Sequence, residues 1–132
     1  MLRRSAVIAA SVVTMACGTL PASAAASPIH TFGIPGVYGV RAWGSYQRTG
    51  VKIRITVCVK DVARDVYGAA AAGLAFDSGY RHHDDASATA IGYGHMQCRA
   101  LVTRYAGHLV VEALSGYRNG KVRSHSIPKR IY

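Results

Sequence analysis

Glu112 is the only glutamate in the 132 residues, and it stands in the alternating run His108-Leu109-Val110-Val111-Glu112-Ala113-Leu114. A lone carboxylate can act as a general base if an imidazole acid and a cationic clamp share its surface. Turn chemistry nominates partners for it. Asn119-Gly120, between Tyr117 and Val122, is the strongest short hairpin signal in the chain. Ala106-Gly107, between residues 98–105 and 108–117, is a second and less diagnostic turn. Two-residue loops at both would set Leu101 opposite Glu112, Arg99 opposite Leu114 and Leu114 opposite His125. Glu112 would then lie diagonal to Arg99 and His125, with Arg123 on the same face of a three-stranded meander. Those are the parts of a small ribonuclease: Glu112 as base, His125 as acid, Arg99 and Arg123 holding phosphate. The plainer reading is a cross-strand ion pair on a solvated sheet face, contributing about 0.2–1 kcal/mol. Ion-pair networks outnumber active sites, so the enzyme stands as the alternative.

His82, His83, Asp84 and Asp85 are a second cluster, with donors suited to Zn²⁺ or Cu²⁺. Adjacent residues of a strand point to opposite sides, so only a turn could converge them. No spaced Cys/His motif supports them, and they read as a solvated loop of balanced charge. Neither a metal nor another cofactor is expected. The chain also has no Gly-x-Ser-x-Gly, no phosphate-binding Gly-rich loop followed by Lys, and no His-Glu-x-x-His.

The third candidate is the basic surplus. Sixteen Lys and Arg stand against six Asp and Glu, a formal net charge of +10. Lys52, Arg54 and Lys60 share one strand face, Arg118, Lys121 and Arg123 cluster at the Asn119-Gly120 turn, and Lys129 and Arg130 lie further on. A field of this sign attracts cell-wall phosphate polymers, nucleic acid or anionic headgroups. Eight tyrosines offer stacking surfaces. Generic solubility and edge protection explain such charges equally well.

The first residues address the chain. Arg3 and Arg4 precede a charge-free apolar stretch, Pro21 breaks it, and Ala22-Ser23-Ala24 offers a cleavage site. That is the layout of a secretory signal peptide over residues 1–24, too short in its apolar part to span a bilayer. Processing as a lipoprotein at Cys17 is a minor alternative, since Thr14 occupies the place where Leu is usual. After cleavage no integral membrane span is expected. Cys58 and Cys98 then remain, and export makes a disulfide of them. It closes a loop of about 41 residues, worth roughly 4 kcal/mol in the chain-entropy picture.

The elements that must position these groups read as strands. In residues 51–60, Val51, Ile53, Ile55, Val57 and Val59 alternate with Lys52, Arg54, Thr56, Cys58 and Lys60, the pattern of a half-buried strand. Cys58 falls on the polar face, so the disulfide sits outside the core unless a bulge shifts the phase. Residues 37–47, 88–95, 98–105 and 108–117 read as further strands. Residues 66–76, with the run Ala69-Ala70-Ala71-Ala72, are either helix or strand. Flanking glycines favour a small-residue strand that lets another layer come close. Residues 25–36, rich in Pro and Gly, read as a flexible leader.

The expectation is an all-β domain over residues 37–132: a small antiparallel sandwich or barrel of six to seven short strands. Half the residues are hydrophobic, which excludes a disordered chain, and the length excludes a large dinucleotide-binding architecture. The leading functional expectation is a secreted, non-enzymatic binding protein at the envelope or outside the cell. Its partner is a polyanion or an extracellular protein. One version inhibits an extracellular hydrolase through an exposed loop at residues 78–88.

Overall fold

The computed structural model describes residues 27–104, 107–116 and 121–132. Among them nine strands form: β1 (His30–Ile34), β2 (Val40–Thr49), β3 (Lys52–Asp61), β4 (Gly68–Phe76), β5 (His82–Ala90), β6 (Met96–Thr103), β7 (His108–Gly116), β8 (Val122–His125) and β9 (Lys129–Arg130). They build two antiparallel sheets packed face to face. The first has the order β1-β2-β3-β6; the second has β5-β4-β7-β8, with β9 also paired to β7. Of the expected sandwich or barrel with one disulfide this is the sandwich, with nine strands among the described residues where six to seven are expected.

The core sits between two unlike surfaces. β3 turns Ile53, Ile55, Val57 and Val59 inward, all fully buried. The facing strands β4 and β5 offer Ala69, Ala71, Ala75, Ala86, Ala88 and Ala90. Large side chains of one sheet therefore fill the space left by small ones of the other, as close packing requires. Gly73 marks the tightest place. A Cβ there would lie 2.6 Å from Ile55 Cδ1 and 2.9 Å from Val57 Cγ2. Residues 66–76 thus resolve as the small-residue strand β4.

Two expectations are corrected. Residues 25–36, read as a flexible leader, contribute β1, which pairs with β2 from His30↔Tyr46 to Ile34↔Ala42. Phe32 and Ile34 alternate inward, and the glycine between them hides that short period from a sequence reading. The larger correction concerns the meander. β6 does not form a hairpin with β7. It pairs with β3 from Ile53↔Thr103 to Lys60↔Met96, while β7 pairs with β4 along Gly68↔Gly116 to Phe76↔His108. Cys58 lies directly opposite Cys98, with the Cα atoms 4.0 Å apart, so the disulfide holds β6 in the first sheet. Gly107 serves a close approach rather than a hairpin turn. Its amide donates to Phe76 O, and a Cβ there would lie 2.4 Å from the Asp77 backbone. The Asn119-Gly120 turn lies outside the described residues. The strands flanking it pair antiparallel, with Leu114↔His125 and Ser115↔Ser124, and the register shifts between Ser115 and Gly116.

Candidate functional site

The outer face of the first sheet is built by alternation. On β2 the inward residues include Ala42 and Gly44, so Arg41, Trp43, Ser45, Gln47 and Thr49 point outward. On β3 the outward set is Lys52, Arg54, Thr56, Cys58 and Lys60. Register then puts them side by side: Arg41↔Lys60, Trp43↔Cys58, Gln47↔Arg54 and Thr49↔Lys52. β6 adds Met96, Cys98, Ala100 and Val102 through its pairing to β3. The Cys58–Cys98 bond lies across this face, outside the core. Arg41, Lys52 and Arg54 are exposed and Lys60 is half-buried. The Arg41 guanidinium sits over the Trp43 ring, 5.6 Å from its centre.

No carboxylate stands on that face. The one acid in the strands of the first sheet is Asp61, 1% exposed and turned inward. Its carboxylate accepts the amides of Ala63 and Gly92 at 3.2 and 2.9 Å, so it is spent on the loop ends. At a rise of about 3.3 Å per residue, Lys52, Arg54 and Lys60 form a column roughly 26 Å long. Arg41 and Trp43 flank it one strand away, about 4.8 Å to the side. The column has a basic pair at each end, Lys52 with Arg54 and Lys60 with Arg41, with the neutral Thr56 and Cys58 between them.

Arg41 escaped the sequence reading. The signal for it was present in Gly50-Val51, which joins the two strand patterns. Gly50 adopts φ +62°, as the first residue of a two-residue Gly-X hairpin turn does. That turn sets Thr49 opposite Lys52 and, by counting outward, Arg41 opposite Lys60.

The other candidates separate. Arg99 lies on β6 opposite Val57, in the first sheet, whereas Glu112 lies on β7 opposite Ala72 in the second. The ribonuclease grouping therefore loses the shared face that the meander would have provided. Glu112 and His125 do point to the same outer side, because Leu114, in phase with Glu112, is paired with His125. Arg123 is occupied elsewhere: its Nη1 is 3.7 Å from Asp65 Oδ2 and its guanidinium stacks on Tyr67 at 4.0 Å. Lys121 is exposed, and Arg118 lies outside the described residues.

His82, His83, Asp84 and Asp85 fall in β5, not in a loop. A strand splits such a run between its two sides. Thr103 Oγ1 donates to Asp84 at 2.6 Å, while His83 Nε2 bonds Asp77 Oδ2 at 2.9 Å. Among the described residues, no three His, Cys, Asp or Glu groups converge as a metal site. Asp77 organises the β4–β5 turn, accepting the amides of Gly79 and Arg81 at 2.9 and 3.0 Å. The bond from His83, then the amide of Arg81, lowers its pKa from the usual 3.8 to about 2. The inhibitory loop expected at residues 78–88 is thereby reduced to a tight turn, since most of it is strand.

A groove runs along one open side of the sandwich, between β1 and the β8–β9 edge. Ile34, Pro35, Gly36, His125, Ser126, Ile127, Pro128, Lys129 and Arg130 line about 630 Å³ of it. An adjoining hollow of about 530 Å³ adds Val40, Arg41 and Ala42. Glu112 lines neither. No protein-family model, no curated protein and no solved structure matches the chain.

Proposed function

We propose that the protein is a secreted, non-enzymatic binding domain whose first-sheet outer face holds a phosphodiester polymer outside the cell or at its envelope. The observation that carries this reading is the column Lys52, Arg54 and Lys60 with Arg41 beside it, free of any carboxylate. Such a column neutralises successive charges of an extended polyanion and releases its counterions. Trp43 adds a flat surface against which a ring or a glycerol unit can rest. The disulfide ties the strand that carries the column, β3, to β6, so less ordering is needed on binding. The Arg3-Arg4 leader and the small-residue site ending at Ala24 support export.

The test begins with protein taken from culture medium, whose intact mass should place its first residue near Ala25. That product is titrated with poly(glycerol phosphate) and with single-stranded nucleic acid over a range of salt. With about 0.7 counterions released per phosphate contact, replacing Lys52, Arg54 and Lys60 by Ser should flatten the log–log salt slope by roughly 2. Replacing Arg99, Arg118 and Lys121 by Ser removes the same charge elsewhere and should change it far less. Equal losses in both triple variants would sink the assignment to this face. The ratio of the two polymers' affinities tells a wall polymer from a nucleic acid.

A further inference from the structure

The groove between β1 and the β8–β9 edge has a composition that folding does not explain. Ile127 is 89% exposed, the most exposed of the large apolar side chains among the described residues. It borders the groove together with the exposed Pro35 and Pro128, which form an apolar wall. Lys129 and Arg130 follow directly, and no carboxylate is among the lining residues. Arg130 is positioned by two bonds, Nε to Tyr132 O at 3.1 Å and Nη1 to the Tyr80 hydroxyl at 3.3 Å. β9 anchors this rim to β7 through Val110↔Arg130 and Val111↔Lys129. On the inner side Ser126 is locked: its amide donates to Ala113 O at 2.8 Å, and its hydroxyl accepts the Ala113 amide at 2.9 Å. Those bonds push Ile127 outward at a place where the edge strand is interrupted between β8 and β9.

An apolar wall beside a cation suits a ligand with both properties. We infer that this groove binds a single-chain amphiphilic anion, its alkyl chain along Pro35, Ile127 and Pro128 and its phosphate or carboxylate head on Lys129. A volume of about 630 Å³ lies within the 300–1,000 Å³ range common for such ligands. Pro35 and Pro128 have fixed φ, so the walls are held in place before the ligand arrives. The inference is independent of the polymer reading, because neither Ile127 nor Lys129 belongs to the first-sheet face.

Decyl phosphate, used below its micelle concentration, is the probe, and calorimetry with wild-type protein is the measurement. Decyl phosphate should bind at least about tenfold more tightly than decanol, inorganic phosphate or decyltrimethylammonium, a gap of one well-made charged contact. Ile127→Ser and Lys129→Gln alter exposed side chains and leave the core untouched. Each should weaken decyl phosphate about three- to tenfold, roughly the value of one apolar or one charged contact. The variant lacking Lys52, Arg54 and Lys60 should bind it like the wild type. Decyltrimethylammonium binding as well as decyl phosphate overturns the inference, as does decyl phosphate affinity unchanged in both Ile127→Ser and Lys129→Gln. Wild-type protein that binds decyl phosphate but neither polymer refutes the polymer reading alone.

Discussion

The two sheets follow one alternating rule and yet present opposite outer faces. The outer face of the first sheet carries Arg41, Lys52, Arg54 and Lys60, and the one acid of its strands, Asp61, is buried. In the second sheet β4, β5 and β7 contain no Lys or Arg and hold Asp84, Asp85 and Glu112, while its bases, Arg123, Lys129 and Arg130, lie on the short edge strands β8 and β9. On the second sheet Ala70, Ala72, Leu74, Val110 and Leu114 face outward, half-buried by their neighbours. Had the basic surplus served solubility alone, it would have reached the central strands of both sheets. Its segregation is what favours recognition of an anion over general solvation.

The faces also differ in how they are held. The first has a covalent strut between β3 and β6; the second relies on small side chains packed beneath it. Cys58→Ser tests that difference most severely. Loss of the bond should lower stability by roughly 2–5 kcal/mol, read as a shift in the denaturant midpoint. It should loosen β6 before β7, which amide exchange can resolve strand by strand. Uniform loosening of both sheets would break the comparison.

The second sheet has its own weak point in Gly73. Gly73→Ala pushes a methyl into Ile55 and Val57 and should cost about 1–3 kcal/mol by overpacking. Gly33 lies on the first sheet's outer side with open space around its would-be Cβ, so Gly33→Ala should stay within about 0.5 kcal/mol. Equal thermal shifts for the two would mean that sheet separation is not set at Gly73.

The smallest effect is in acid. Asp77 has a folded-state pKa of about 2 against a usual 3.8. A lowered carboxylate pKa stabilises the fold fully above the unfolded value, and the gain disappears as pH falls through the folded one. Protection of the Gly79 and Arg81 amides should therefore fade between about pH 4 and pH 2. Asp77→Asn should remove that dependence while leaving β3 protection untouched. A turn whose protection is flat across this window would contradict the Asp77 bonding.

Much of the fold was legible because its information is local. Perfect alternation in residues 51–60 marks β3 and its buried face. With Cys17 in the expected leader, Cys58 and Cys98 leave one intramolecular pairing, and the polar phase of Cys58 places that bond outside the core. The Lys52, Arg54 and Lys60 side of the candidate face follows from the same parity. Arg41 needed one more step, the Gly50-Val51 turn, and β1 was hidden by Gly33 and its flanking prolines.

Which sheet each strand joins is another matter. Ala106-Gly107 resembles a hairpin turn, yet β6 and β7 part into different layers, and Arg99 is carried away from Glu112. Alternation and turn residues describe a strand and its next neighbour in sequence. They are silent on a partner forty residues away. That choice was made by side-chain volume across the core, where Ile53, Ile55 and Val57 need the small surface of β4 and β5, and by the bond from Cys58 to Cys98. The residues alone thus determined the strands, their buried sides and the sign of the charge. The tertiary structure decided which charges stand together, because long-range pairing is settled by the fit of two sheets and not by any one segment.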